Sequence, residues 1–243
     1  MRMRLLLLLL LLPFALPADE RILDYRSDIQ VHENGWLTIT ETIRVRAEGN
    51  QIRRGIYRDF PTRYRDRLGN HVRVEFVPLS LRRNGDSEPW HSKELKNGVR
   101  VYAGSAARTL APGIHEYELV FRTNRQLGFF AEHDELYFNV IGTGGAFPID
   151  RAVAHVTLPF DVAAQDLQVS TYSGFFGVST SSALAEVTGS NRVRVETERA
   201  LAPREGLTIA VSWPKGLIDA PGAGQKLRWF LADNGAALVL ITG

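Results

Sequence analysis

WLTITETIRV, residues Trp36 to Val45, decides the fold class, because its apolar and polar side chains alternate one by one. This two-residue period is typical of a β-strand with one buried face. The apolar face holds four aliphatic side chains, Leu37, Ile39, Ile43 and Val45. A second β-like segment, Ile22 to His32, precedes it, and Asn34-Gly35 between the two is a strong β-hairpin signal. The sequence therefore predicts an antiparallel hairpin near the amino terminus.

The same pattern continues outward from the hairpin, and tight-turn signals such as Asn84-Gly85 and Asn97-Gly98 separate the segments. Further strands are predicted at Val72–Phe76, Val99–Ala103, His115–Arg122, Leu136–Ile141, Ala152–Leu158, Leu167–Tyr172, Arg192–Glu196 and Leu207–Trp213. Many short strands without intervening helices favour an all-β chain, an antiparallel β-sandwich of the two-layer, immunoglobulin-like kind. The loop at 141–148 is compatible either with one domain or with two sub-sandwiches.

The amino terminus reads MRMRLLLLLLLLPFALPA, residues 1–18. Two arginines, a leucine run and a small residue at Ala18 are the parts of a secretory signal peptide. The alternative is an uncleaved anchor, although the run is short for a bilayer span of about 20 residues. We expect cleavage after Ala18 and a β domain over residues 19–218, outside the cytoplasm.

After Trp213 the β-like sequence pattern ends and the chain becomes loop-like. A linker is predicted over 219–228, followed by the start of a transmembrane helix over 229–243, where Gly235–Gly243 carries no charge. A tryptophan and basic residues beside an apolar run are typical of a membrane interface. The alternative is a helix or strand that packs on the domain. The membrane, reached through this helix, is the first predicted partner.

Composition excludes several function classes. The chain has 29 Lys+Arg and 27 Asp+Glu, and two of the arginines lie in the signal segment, so the remainder is balanced. Nucleic acid is therefore not an expected partner. Cysteine is absent, which excludes thiol chemistry. No metal site or cofactor is predicted, since the histidines are scattered and His133 and Glu135 lack an evident third ligand.

Arginines interleaved with aromatic residues crowd one stretch of the chain. The guanidinium group suits phosphate and carboxylate ligands. The stretch predicts a site for an anionic lipid or an anionic envelope polymer, and its alternative is a solvated loop neutralised by Asp59 and Asp66. The candidate residues are Arg53, Arg54, Tyr57, Arg58, Arg63 and Tyr64, with Arg65 and Arg67 nearby.

Glu41 interrupts the apolar face of the Trp36–Val45 strand. A buried carboxylate needs a partner, because its desolvation otherwise costs several kcal/mol. Arg58 is the preferred partner, in a turn bracketed by Gly55 and Pro61. The pair is predicted to be a structural ion pair and not a catalytic acid. The alternative is a bulged strand that lets Glu41 reach water.

An ordered set of segments resembles one family, the domain of unknown function 2207 of YciQ-like predicted membrane proteins. The segments are Ile29–Glu41, Gly55–Pro61, Gly113–Phe121, Asp134–Pro148, Tyr172–Gly177 and Gly206–Gly216. The resemblance covers Ile22 to Gly216 and implies an extracytoplasmic domain followed by membrane helices. It implies no activity and therefore no catalytic residue.

The function predicted from these observations is an extracytoplasmic binding or scaffolding domain of a membrane-anchored protein. The alternative is a cell-envelope hydrolase whose carboxylate or histidine site carries no recognisable motif. In a β fold such groups come from distant strands, so spacing alone does not reveal them. No catalytic residue is assigned, and side chains converging in one pocket would favour the enzyme.

Overall fold

The computed structural model describes residues 19–66, 68–177 and 182–239. Within these ranges it has seventeen strands, one short 3-10 helix at Ala164–Asp166 and one α-helix. In chain order these are β1 (Arg21–Val31), β2 (Leu37–Ala47), β3 (Gly55–Pro61), β4 (Arg63–Arg65), β5 (His71–Arg73), β6 (Phe76–Arg83), β7 (Asp86–Ser87), β8 (Trp90–Leu95), β9 (Gly98–Gly104), β10 (Gly113–Thr123), β11 (Leu127–Phe129), β12 (His133–Ile141), β13 (Ala152–Thr157), β14 (Gln168–Gly174), β15 (Ala183–Gly189), β16 (Arg192–Thr197), β17 (Gly206–Pro214) and α1 (Ala223–Val239).

The β1–β2 hairpin follows the alternation in the sequence. Every second residue of β2 from Leu37 to Ala47 is buried. The turn closes with a hydrogen bond from the His32 amide to the Trp36 carbonyl at 2.9 Å. Gly35 adopts a φ of 76°, a left-handed conformation that glycine enters without strain. The structure therefore confirms the predicted hairpin and the position of its turn.

The largest sheet has eight strands in the order β15-β16-β13-β1-β2-β10-β6-β7. All of its neighbouring strands are antiparallel except β1 and β13, which run parallel from Tyr25↔Ala152 to Gln30↔Thr157. The prediction of a mostly β chain with antiparallel sheets is confirmed, but the pairing is not purely antiparallel. Parallel partners need a long connection and leave no local turn signal, which explains the difference.

Three smaller sheets accompany the large one, in the orders β11-β12-β17-β14, β3-β9-β8 and β4-β5. Side chains of all the larger sheets meet in one hydrophobic cluster, for example Ile39 of β2, Val101 of β9 and Trp213 of β17. Phe60 of β3 stacks on Phe76 with ring centroids 4.1 Å apart, and it meets Phe121 edge to face at 4.6 Å. The three- and four-stranded sheets therefore share a core with the eight-stranded sheet. Residues 142–151 connect β12 to β13, and both of these strands contribute to that core.

Helix α1 begins at Ala223, within the stretch predicted to be a linker. None of the helices in the described part of the chain is long and apolar enough to span a bilayer. The predicted membrane segment extends to Gly243, so its end lies outside the described residues, as does the predicted signal peptide. The transmembrane prediction is therefore not confirmed by the structure.

The helix docks on β5 through two polar side chains. Asn234 Oδ1 accepts from the His71 amide at 2.9 Å, and Asn234 Nδ2 donates to the His71 carbonyl at 3.0 Å. Asp233 Oδ2 accepts from Arg125 Nη1 at 2.7 Å and from the Arg73 amide at 3.2 Å. The Arg125 guanidinium lies 4.7 Å from the ring centre of Trp229. The side chains of Asp233 and Asn234 thereby fix the helix to the edge of the β4–β5 hairpin.

We expect Asn234→Leu to loosen the contact between helix α1 and the edge of the β4–β5 hairpin, because both hydrogen bonds to His71 are lost. Since one such bond contributes about 0.5–1.5 kcal/mol, we expect the His71 amide to exchange about two- to tenfold faster with solvent deuterium. Hydrogen exchange resolved to single amides measures this. Gln225→Leu, an exposed position on the same helix, is the control and should change nothing. Unaltered exchange in Asn234→Leu would contradict the docking role.

Candidate functional site

Glu41 and Arg58 meet on the floor of the gap between the smaller sheets. Arg58 Nη2 donates to Glu41 Oε1 at 2.6 Å, and Arg58 Nε donates to Oε2 at 2.8 Å. The Glu41 side chain is 1% exposed and that of Arg58 is 18% exposed. Glu41 faces inward because β2 alternates without a bulge at this point, with Glu41 opposite Ser27 on β1 and Leu119 on β10. The structure thus brings the two residues together in a two-point, charge-assisted contact.

Aromatic rings surround the Arg58 guanidinium, whose central carbon lies 4.9 Å from the Phe60 ring centre and 5.4 Å from that of Tyr25. Burial by itself would lower the pKa of Arg58, but the charge of Glu41, the nearby Tyr25 and Asp59, and the hydrogen bonding to Glu41 together raise it. Burial also raises the pKa of Tyr25 well above its ordinary value, so its hydroxyl stays protonated. The buried cluster therefore holds the Glu41–Arg58 ion pair beside the neutral phenol of Tyr25.

A cleft of about 900 Å³ opens above this ion pair. Strand β3, the β4–β5 hairpin, β10 and β12 supply its walls, and the Glu41 and Arg58 side chains lie in its lining. This volume is in the range of ligand-binding sites. A second cavity of about 400 Å³ lies beside it, under the glycine-rich loop at 142–145. Its lining includes the aliphatic side chains of Ile22, Ile43, Ile56 and Ile149.

Every charged side chain among the described lining residues has an internal partner. The pairs are Glu41 with Arg58 at 2.6 Å, Asp59 with Arg100 at 2.6 Å, Arg125 with Asp233 at 2.7 Å and Glu205 with Arg199 at 2.6 Å. A ligand in this space therefore meets charges that are already neutralised. Recognition there rests on aromatic faces, hydroxyl groups, amides and backbone atoms.

Aromatic side chains form the part of the wall that the sequence reasoning missed. Tyr137 and Tyr172 are 51% and 42% exposed, and their ring centroids lie 6.5 Å apart. Thr208 Oγ1 donates to Asn139 Oδ1 at 2.6 Å on the same sheet. The sequence did contain a signal for this wall, because Tyr137 and Asn139 occupy the alternating positions of β12 that point outward. Phe176, at 91% exposure, also lines the cleft.

The structure does not gather the predicted arginine-rich set into one patch. Arg58 and Tyr64 line the cleft, and Tyr57 lines the second cavity. Arg53 and Arg54 are exposed and lie outside both linings. Their binding of an anionic ligand stays a prediction.

The remaining members of that stretch have partners or lie outside the structure. Arg63 is also outside both linings, and it donates to the Lys96 carbonyl at 3.1 Å and to Glu94 at 3.3 Å. Arg65 Nη1 donates to the Gly69 carbonyl at 2.8 Å. Arg67 lies outside the described residues.

The acidic segment at the start of β12 has structural contacts. The His133 ring stacks on Phe130, with centroids 4.8 Å apart. Asp134 is buried and accepts from Lys215 Nζ at 3.2 Å and from the Gly216 amide at 3.1 Å. In the part of the chain that the structure describes, no group of three or more histidine or carboxylate side chains is placed to hold a metal ion.

Comparison with known proteins relates this architecture to two others. The chain is 24% identical over 214 residues to "Uncharacterized protein YciQ" of Escherichia coli K12, covering 87% of this chain and 33% of that protein. The chain therefore spans about a third of the length of this curated relative. The structure of native leukotriene A4 hydrolase from Saccharomyces cerevisiae matches with a TM-score of 0.50 and 12% identity, covering 80% of this chain and 29% of that chain. At this identity the likeness shows the fold alone.

The family model described as the N-terminal domain of predicted membrane proteins (DUF2207) matches residues 21–213. The match begins at the first residue of β1 and ends one residue before the end of β17, so it contains all three larger sheets and the cleft between them. The resemblance seen in the sequence is thereby confirmed, and the chain belongs to the DUF2207 family of predicted membrane proteins.

Proposed function

We propose that this chain is the extracytoplasmic, ligand-binding part of a membrane-anchored protein, and that the cleft above Glu41 and Arg58 is its binding site. The observation that carries the proposal is an open space of about 900 Å³ whose described charged lining residues are all paired internally. Family membership supports the association with a membrane. The signal-like residues 1–18 support placement outside the cytoplasm.

Binding is favoured over hydrolysis by the state of the charged groups. A general acid or base must be free to exchange a proton with a substrate. Glu41 is held by two hydrogen bonds from one guanidinium, and Asp59 is held likewise by Arg100 at 2.6 and 2.7 Å. These carboxylates act as supports for the wall and floor of the cleft. Exposed Arg53 and Arg54 remain the candidates for a separate contact with an anionic lipid or envelope polymer.

Sidedness can be tested with single cysteines, because the natural chain has none. Ala185→Cys lies on an exposed strand position, and we expect a membrane-impermeant maleimide to label it in cells whose inner membrane is intact. Ala154→Cys is the matched control, since Ala154 is fully buried and should react only after denaturation. Labelling of Ala185→Cys only after lysis would place the domain in the cytoplasm and overturn the proposal.

A further inference from the structure

Strand β3 is an edge strand that faces the binding space. It pairs with β9 on one side, from Gly55↔Gly104 to Pro61↔Gly98, and with no other strand of the described chain. Its residues Arg58 to Pro61 line both the cleft and the second cavity. An edge strand presents unpaired backbone groups, and proteins usually cover such edges. Here the outer edge of β3 borders open space.

Strand β12 supplies a second free edge on the other side of that space. Strand β11 pairs with β12 only over Asp134–Leu136, and the contact ends with the Tyr137 amide 3.4 Å from the Gln126 carbonyl. Beyond this point the described part of β12 pairs with β17 alone. The register shifts between Asn139 and Ile141, as in a β-bulge, a feature common at sheet edges. The Val140 carbonyl receives a long contact of 3.5 Å from Arg58 Nη2.

The two edges border one continuous groove, because the cleft and the second cavity share part of their lining. The shared residues come from β3, from the β8–β9 turn, and from the end of β12 with the loop that follows it, and they are Arg58, Asp59, Phe60, Pro61, Asn97, Ile141, Gly142 and Thr143. An extended chain laid between two strand edges can pair with both, at about 4.8 Å from each. Main-chain hydrogen bonds then supply affinity, and alternate side chains enter pockets on either face.

We propose that this groove binds an extended, uncharged peptide segment as an added strand between β3 and β12. The inference rests on the proposed function and names its ligand class. Uncharged side chains are required because the charged lining residues already have partners. The isoleucines of the second cavity contact apolar side chains of the peptide, and the aromatic wall at Tyr137 and Tyr172 contacts flat or aromatic ones.

The test uses the purified whole chain in detergent and a pool of capped hexapeptides built from Ala, Val, Thr, Ser, Asn and Tyr. We expect members of the pool to bind, as measured by isothermal calorimetry on the best of them. Each binder is then made in two further forms, with N-methyl groups on either the odd or the even amides. A strand paired on both sides uses both sets of amides, so each form should bind at least about tenfold more weakly.

Gly142→Leu provides the protein variant. A Cβ at Gly142 meets no atom within 4 Å and its φ is not positive, so the added side chain fills the groove without backbone strain. We expect peptide binding to fall at least about tenfold while the midpoint of thermal unfolding stays within about 2 °C. Gly222→Leu is the matched control, because Gly222 is equally open and lies outside both linings. It should leave binding unchanged.

Several outcomes would overturn the inference. They are the absence of any binder at millimolar peptide, sensitivity to only one of the two N-methyl sets, and unchanged binding in Gly142→Leu. A soluble N-acetylglucosamine tetramer is tested in parallel. If it binds, loses affinity in Gly142→Leu, and no peptide binds, the peptide assignment is wrong while the cleft remains the binding site. Labelling of Ala185→Cys tests the proposed function independently of every peptide result.

Discussion

Arg58→Met is expected to lower the free energy of unfolding by about 3–5 kcal/mol, because it leaves the Glu41 carboxylate buried without a cation. Glu41 is 1% exposed at the side chain, and both of its oxygens accept from Arg58 at 2.6 and 2.8 Å. Water cannot readily replace those bonds. Urea denaturation of the whole chain measures the change.

A double-mutant cycle isolates the pair. Glu41→Leu leaves the Arg58 guanidinium without its carboxylate partner. The double variant, Glu41→Leu with Arg58→Met, replaces both charges with apolar side chains. The double variant should recover much of the loss, since it leaves no unpaired charge. Additive effects would show that the contact contributes nothing specific.

Arg100→Met is the matched control for Arg58→Met, because the Arg100–Asp59 pair has the same two-point geometry but is more exposed. The side chains of Arg100 and Asp59 are 27% and 33% exposed. Solvent screens such a pair, so its loss should cost about 1 kcal/mol or less. An equal loss of unfolding free energy in the two variants would mean that burial does not determine how much the Glu41–Arg58 pair contributes to stability.

Gly55→Ala is expected to have the next largest effect, about 2–5 kcal/mol. Gly55 has a φ of 137°, which strains any residue with a side chain, and a Cβ there would lie 1.7 Å from the Ala103 carbonyl oxygen. The carbonyl belongs to β9, the only strand partner of β3 in the described chain. The substitution should therefore separate these strands and open the wall of the groove, which urea denaturation and hydrogen exchange of β3 amides would show.

Gly85→Ala separates backbone strain from the steric clash. Gly85 also has a positive φ, 86°, but a Cβ there meets no atom within 4 Å. We expect a loss of about 1–2 kcal/mol from strain alone. If Gly55→Ala costs no more than Gly85→Ala, the close approach of β3 and β9 at Ala103 does not matter for stability.

Local sequence patterns were sufficient to predict the β1–β2 hairpin and the inward direction of the Glu41 side chain. Both depend on residues adjacent in sequence, since a strand alternates its faces and Asn34-Gly35 favours a tight turn. The same patterns failed for the parallel β1–β13 pair, whose partners Tyr25 and Ala152 are far apart in the chain. They also missed the tyrosine wall, because Tyr137 and Tyr172 meet only after two strands pair with β17 between them.

The predicted arginine-rich stretch shows the same limit. Its composition correctly marks a place where cations accumulate, but it does not say which cations remain free. Along β3, Arg58 turns inward to Glu41, while Tyr57 on the opposite face lies under the Arg100 guanidinium at 3.9 Å. Which arginines have partners depends on carboxylates that belong to other strands.

The amino-acid sequence alone predicts a mostly β chain, its resemblance to a family of predicted membrane proteins, and a carboxylate on a buried face. Period-two alternation and turn residues act within a few positions, so they specify strands and their faces. The tertiary structure decided where sheet edges stay uncovered and which charges are neutralised. Arg125 and Asp233, for instance, are 108 residues apart in sequence and 2.7 Å apart in space. Such contacts arise only when elements that are distant in sequence pack together, and they leave the groove between β3 and β12 lined by paired charges.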